Sequence, residues 1–170
     1  MPDPQGVLYF DTVTLSNFAL TDSLPLLVSR YGRRLHITPE VLDEVLDGIV
    51  AGYSTLSVIE AAVNTGKFRL AGPLTLAERQ IYRELLRILA PGEAACIACA
   101  KGRGGVVATD DRVARNCCLE RGFRFTGTLG ILKACCVDGT LSPEAADTLL
   151  LAMIKAGYHS PVHRISDGMG

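Results

Sequence analysis

Leu8-Tyr9-Phe10-Asp11 and Val106-Val107-Ala108-Thr109-Asp110-Asp111 share one pattern: a short apolar run that stops at a carboxylate. A run of that length, bounded by polar residues, reads as a strand buried on both faces. Open α/β sheets bind ligands in the crevice beyond the carboxyl ends of their strands, so two strands ending in Asp aim acids into one cleft. Hard divalent cations prefer oxygen ligands, and such a cleft suits them.

Working outward, strand-like and helical stretches alternate. Val7 to Asp11 is expected as the first strand, and Thr12 to Tyr31 as two short helical stretches broken near Thr21 and Pro25. A second strand spans Leu35 to Thr38. Pro39 suits a first helical turn, and Val41, Leu42, Val45, Leu46 and Ile49 recur behind it at helical spacing, giving a third helix to about Ala51. A helix over Leu56 to Asn64 stops at Gly66, ahead of a short strand at Phe68-Arg69-Leu70. A charged amphipathic helix over Ala77 to Leu89 closes at Ala90-Pro91-Gly92. Ala94-Ala95-Cys96-Ile97-Ala98-Cys99-Ala100 is apolar all round, which marks a buried helix. Strand Val106 to Thr109, helix Asp111 to Arg121, strand Phe123 to Thr126, a helix over Ile131 to Val137 and a last helix from Ser142 to about Ala156 complete the series. The alternation predicts an α/β fold with a parallel sheet covered on both faces, a three-layer sandwich. One domain over 1–170 is expected, with a core at about 7–157 and a tail at 158–170.

At 170 residues, 48% apolar and 21% charged, the chain has the composition of a globular protein, not a disordered one. Polar residues interrupt every apolar stretch short of the roughly 20 residues a membrane helix needs, so no membrane partner is expected. Met1-Pro2-Asp3-Pro4-Gln5-Gly6 lacks a basic segment followed by an apolar one, which predicts a cytoplasmic protein. The net charge of −1 gives no sign of a polyanion partner, although a neutral total can hide a basic stripe. Of the six cysteines, Cys96 and Cys99 lie within an apolar helical run, and the adjacent pairs Cys117-Cys118 and Cys135-Cys136 lack the paired Cys-x-x-Cys spacings of a zinc site, so all read as free, buried thiols.

The acids carry the chemistry. Asp11 alone reads as a turn residue or helix cap. Asp110 and Asp111 exceed what capping needs, since one acid suffices to cap a helix starting at Arg112. Glu93 opens the buried helix, where the macrodipole alone favours an acid, but that turn is expected near the ligand edge of the sheet. Glu40, Asp43, Glu44 and Asp47 share the polar side of the third helix, and spacing does not choose among them. Carboxylates gathered in a cleft repel one another until a cation such as Mg²⁺ or Mn²⁺ neutralises them. A bound metal activates water and stabilises charge on a phosphoryl oxygen, so phosphodiester hydrolysis fits best. By the same repulsion, Asp→Asn at position 11 or 110 is expected to hold or raise stability.

Several segments together resemble the PIN-domain superfamily, in particular predicted nucleic-acid-binding proteins related to VapC-type toxins of prokaryotic toxin–antitoxin pairs. They are Phe10-Asp11-Thr12 with Leu15-Ser16-Asn17-Phe18-Ala19, Val41-Leu42-Asp43-Glu44-Val45, Pro91-Gly92-Glu93-Ala94-Ala95, Ala108-Thr109-Asp110-Asp111 with Ala114-Arg115, and Thr126-Gly127-Thr128-Leu129-Gly130-Ile131-Leu132. The resemblance runs from about Val7 to Gly157. It implies a compact α/β/α fold and an acidic pocket that binds Mg²⁺ or Mn²⁺ for RNA cleavage by a toxin endoribonuclease. By position, Asp11 and Asp110 match the strand-end acids, Glu44 the acid of the third helix and Glu93 the acid opening the buried helix, which makes these four the catalytic set. Asp111 matches an accessory acid, so the implied metal ligands are Asp11, Glu93, Asp110 and Asp111. Many toxin members carry Asp where this chain has Glu93, whose reach is longer by one methylene. A homodimer and a cognate antitoxin, with a segment entering the active-site groove, are implied as well.

Ser16, Asn17 and Arg115 are candidates for contacting the RNA substrate, against the competing readings of helix caps for the first two and a salt bridge for the third. Arg112 is a further candidate for a phosphate. Gly127-Thr128-Leu129-Gly130 lacks the Gly-Lys-Ser/Thr of a phosphate-cradling loop and reads as a turn plus cap. His36, His159 and His163 are too dispersed to serve a nucleophile. Two other functions compete: a catalytically silent PIN-like interaction protein, and another Mg²⁺-dependent phosphotransfer enzyme. The second is disfavoured because Asp11-Thr12-Val13 lacks the second acid such phosphatases usually show.

Overall fold

The computed structural model describes residues 5–168. Among them, five short strands form one sheet: β1 (Leu8–Phe10), β2 (Leu35–Ile37), β3 (Arg69–Leu70), β4 (Val106–Ala108) and β5 (Phe125–Thr126). Their order is β3-β2-β1-β4-β5 and every pairing is parallel. Leu8 stands opposite Val106, Tyr9 opposite Val107 and Phe10 opposite Ala108. Every residue of β1 and β4 is buried, as apolar strands covered on both faces must be. The strand order reverses at this central pair, so the crevice beyond its carboxyl ends is the topological switch point. Asp11 and Thr109-Asp110 emerge there.

The helices are α1 (Thr12–Ala19), α2 (Leu24–Tyr31), α3 (Pro39–Val50), α4 (Ser57–Asn64), α5 (Leu76–Leu85), α6 (Pro91–Arg103), α7 (Arg112–Glu120), α8 (Thr128–Val137) and α9 (Pro143–Lys155). Pro25, expected to break a helix, instead lies in the first turn of α2, where a missing amide proton leaves no bond unmade. The break falls before it, where Asp22 takes a φ of 53°. β5 starts two residues later than Phe123, because the Phe123 amide closes α7 by donating to the Cys118 carbonyl. α8 starts three residues before Ile131, at Thr128.

α6 packs against β1 and β4 and between α3 and α5. Its unbroken buried stretch, Ala94 to Ala100, is made of small residues, Ile97 excepted, that let the neighbouring backbones approach. At its far end Arg103 clamps α5: Nε donates to Glu78 Oε1 at 2.9 Å and a terminal nitrogen to Oε2 at 2.8 Å. The same nitrogen holds the Gly72 and Pro73 carbonyls at 3.0 and 2.9 Å. Glu78 also forms a capping box with Thr75. All six cysteines are free, and only Cys136 is not fully buried.

After α9 the chain folds back. The Tyr158 amide donates to the Met153 carbonyl, Ser160 and Val162 bond each other, and the Ile165 amide donates to Asp147 Oδ1 at 2.6 Å. Tyr158 and Ile165 join the core.

Candidate functional site

Asp11 is 1% exposed and caps α1: Oδ1 accepts from the Thr14 amide at 2.7 Å, while Oδ2 accepts from the Thr109 hydroxyl. Its own amide donates to the Ala108 carbonyl at 3.0 Å, so β4 fixes it from below. Burial, reinforced by the neighbouring Asp110, pushes its carboxyl up to about 6 against the pull of the hydrogen bonds. Asp111 caps α7, accepting from the Ala114 amide at 2.8 Å, and its amide donates to the Thr109 hydroxyl oxygen at 3.1 Å. Thr109 therefore joins the two capping acids through one oxygen.

Glu44 of α3 accepts from the Thr12 hydroxyl at 2.9 Å and from the Gly92 backbone. A Cβ on residue 92 would lie 1.9 Å from Glu44 Oε1, so only glycine lets this carboxylate lie on the first turn of α6. Glu93 uses Oε2 to accept from the Ala90 amide at 3.1 Å, half of a capping box. Its carboxyl is pushed up to about 7, first by burial and then by the charges of Asp111, Asp11 and Glu44. Four acids from four elements thus converge at the switch point, close enough to feel one another.

Asp110 behaves differently. Its Oδ1 accepts from the Thr128 amide at 2.9 Å and from Arg115 at 3.2 Å; its Oδ2 accepts from Asn17 at 3.2 Å, from Thr14 at 3.4 Å and from the Thr128 hydroxyl. Five donors saturate a carboxylate that ties α1, α7 and α8 together. Gly127 makes room for this knot, since a Cβ there would stand 2.1 Å from Arg115 and 2.5 Å from Asp110.

The three expected substrate contacts are committed internally. Ser16 and Asn17 lie inside α1 and cap nothing: Ser16 donates to the Thr12 carbonyl at 2.7 Å, and Asn17 bonds Thr128 at 3.0 Å besides Asp110. Arg115 donates to the Thr109 carbonyl at 2.9 Å, pairs with Asp110 and lies over the Phe125 ring. Of the other acids of α3, Asp43 and Asp47 are exposed, while Glu40 Oε2 is buried without a hydrogen-bond partner among the described residues. Sequence reasoning missed Thr12, Thr109 and Thr128 as organisers, and Gly92 and Gly127 as the spaces they need. Only the Gly127-Thr128 turn carried a local signal.

A cavity of about 550 Å³ opens beside the acids, lined by Glu93, Asp110, Asp111 and residues of α1, α7, α8 and the segment after α9. Among the described residues, no three His, Cys, Asp or Glu side chains stand close enough to grip one metal ion as placed. The donor set is nevertheless of the right kind: hard carboxylate oxygens, several with unused lone pairs, whose mutual repulsion adds to burial in raising Glu93.

Fold and site together define a doubly wound α/β protein with a carboxylate-lined cleft at its switch point. A family model described as DUF3368, PIN domain, matches residues 7–167, and the chain belongs to that PIN-domain family. PIN domains are generally nucleases, and those nucleases typically use divalent metals. Among solved structures, DNA-bound VapBC from Salmonella typhimurium is similar at 22% identity and a TM-score of 0.49, over 73% of this chain and 99% of that one. No curated protein matches significantly. No helix among the described residues is long and apolar enough to cross a membrane.

Proposed function

We propose that the protein is a divalent-metal-dependent endoribonuclease acting as the toxin of a toxin–antitoxin pair. The supporting observation is the convergence of Asp11, Glu44, Glu93 and Asp111 from four elements on one crevice, with Glu93 raised to about 7. Asp11, Glu93 and Asp111 are the residues that would hold Mg²⁺ or Mn²⁺, because each keeps lone pairs beyond its cap or strand contacts. When bound, such an ion supplies an activated water and stabilises charge on a phosphoryl oxygen. Glu44, held by Thr12 and the Gly92 amide, completes the acidic wall. Without a cation, burial and the neighbouring acids hold the Glu93 carboxyl at about 7, and a bound divalent ion would favour its charged, ligating form. Asp110, expected from the resemblance as a catalytic acid and metal ligand, is assigned here as a positioning residue, since its carboxylate already serves five donors.

RNA as substrate, a cognate antitoxin, a homodimer, a cytoplasmic setting and a single domain over 1–170 belong to the same proposal through the resemblance to VapC-type toxins. The test incubates purified protein with RNA oligonucleotides of varied sequence in Mg²⁺, Mn²⁺ or EDTA. Cleavage is expected only with metal, and Asp11→Asn is expected to abolish it with the circular dichroism spectrum unchanged. Cleavage that survives EDTA and Asp11→Asn overturns the metal mechanism; no cleavage by the wild type moves the reading to a silent interaction protein.

A further inference from the structure

The cavity beside the acids has a second wall that the acid cluster does not use. Val13 of α1 and Leu129 of α8 contribute apolar surface, and the segment after α9 adds Tyr158, His159 and Pro161. That segment is anchored on both sides, by buried Tyr158 and by buried Ile165 with its amide on Asp147, so the wall is part of the fold. Two nitrogen donors line the same cavity: the guanidinium of exposed Arg112, at the first position of α7, and the imidazole of exposed His159. Arg115 is committed to Asp110 and Thr109, whereas Arg112 makes no hydrogen bond or ion pair among the described residues. A volume of about 550 Å³ lies within the roughly 300–1,000 Å³ of ordinary ligand sites.

We propose that this cavity is a subsite for a nucleotide of single-stranded RNA adjoining the cleaved bond. Arg112 and His159 hold phosphate oxygens, and Val13, Leu129 and Pro161 pack against sugar and base. Guanidinium is the side chain best matched to phosphate, and an apolar wall beside it accepts the flat face that the nucleotide offers. The identity of the occupant as RNA rests on the nuclease reading above.

The experiment measures binding of a fluorescent single-stranded RNA by anisotropy across a salt series, in the Asp11→Asn background with Mg²⁺, so that binding is read without turnover. Arg112→Ala and His159→Ala are compared with Arg83→Ala, an exposed arginine of α5 outside the cavity. Arg112→Ala is expected to weaken binding about tenfold and to shrink the slope of log K against log salt by about 0.7, the value of one single-strand phosphate contact. His159→Ala is expected to weaken binding severalfold, and Arg83→Ala to change neither quantity. In the active protein, Arg112→Ala raises KM more than it lowers kcat. Affinity and salt slope equal to those of Arg83→Ala, with the thermal midpoint retained, overturn the subsite even where RNA is cleaved. Loss of binding in Arg112→Ala while the wild type cleaves nothing overturns the nuclease reading and the placement of the subsite beside a cleaved bond, and shows a cavity that binds RNA only. Failure of the unsubstituted background to bind RNA at all overturns the subsite and leaves the cleavage assay to judge the nuclease.

Discussion

Asp11 and Asp110 end the same kind of strand yet carry opposite energetics. Asp11 is buried with two donors, and its carboxyl is raised to about 6, so the charged form is unfavourable in the folded protein. The unfolded value is lower, so between about 4 and 6 the folded state holds the proton more tightly, and stability is lost as pH rises through that window. We expect Asp11→Asn to stabilise the protein relative to wild type, with an advantage that grows from about pH 4 and, because the substitution also relieves Glu93, levels off only above about 7. Comparing the two by urea denaturation across pH without metal cancels His36, whose burial-lowered pKa acts in the opposite direction and is common to both, and leaves Asp11 together with the part of the Glu93 shift that its charge causes. An advantage that is flat with pH would refute the assignment. Asp110→Asn should do the reverse and cost about 1–3 kcal/mol, because an amide cannot accept from all five donors. The expectation from sequence that both substitutions hold or raise stability therefore applies only to Asp11. Both acids were legible as residues, because each follows an apolar strand. The difference between them was not, because Asn17 and Thr128 lie 93 and 18 positions from Asp110 and meet it only through the fold.

At the scale of elements, α6 is the part most dependent on its neighbours. Its small-residue stretch announces burial, and the run of Ala and Cys made that readable in advance. The partner that clamps it was hidden, because Glu78 sits among charged residues on a helix that looks solvated in sequence, and Arg103 sits at the polar end of α6. Glu78 is 2% exposed and meets Arg103 through both oxygens, while Arg103 remains partly open to water. Glu78→Ala removes the ion pair and the capping box together and leaves an arginine facing two carbonyls. A loss of about 2–3 kcal/mol is expected by thermal or urea unfolding, below the upper range for buried pairs because solvent reaches Arg103. A change under about 0.5 kcal/mol would show that the clamp is dispensable. Boundaries were harder to read than elements: α8 begins early because Asp110 holds the Thr128 amide, and β5 begins late because α7 uses the Phe123 amide. In both cases tertiary or capping bonds decided what periodicity could not.

For the whole molecule, the alternation of strands and helices made the parallel sheet legible, whereas the order β3-β2-β1-β4-β5, which brings β1 beside β4, arises from packing. Gathering acids there leaves a repulsion that a cation relieves, so ligand linkage should be visible as stability. At about pH 7.5, increasing Mn²⁺ should raise the thermal midpoint of the wild type progressively and leave Asp11→Asn nearly unmoved; equal shifts for both would place the ion elsewhere. Asp11 is completed by a hydroxyl 98 positions later, and Asp110 by an amide 18 positions later still. A ribosome that has released only the first hundred residues therefore displays an incomplete crevice, missing Thr109, Asp110, Asp111 and Thr128. On the proposed reading as a ribonuclease, such late completion would keep the growing chain harmless to the RNA of the ribosome until most of it has been synthesised.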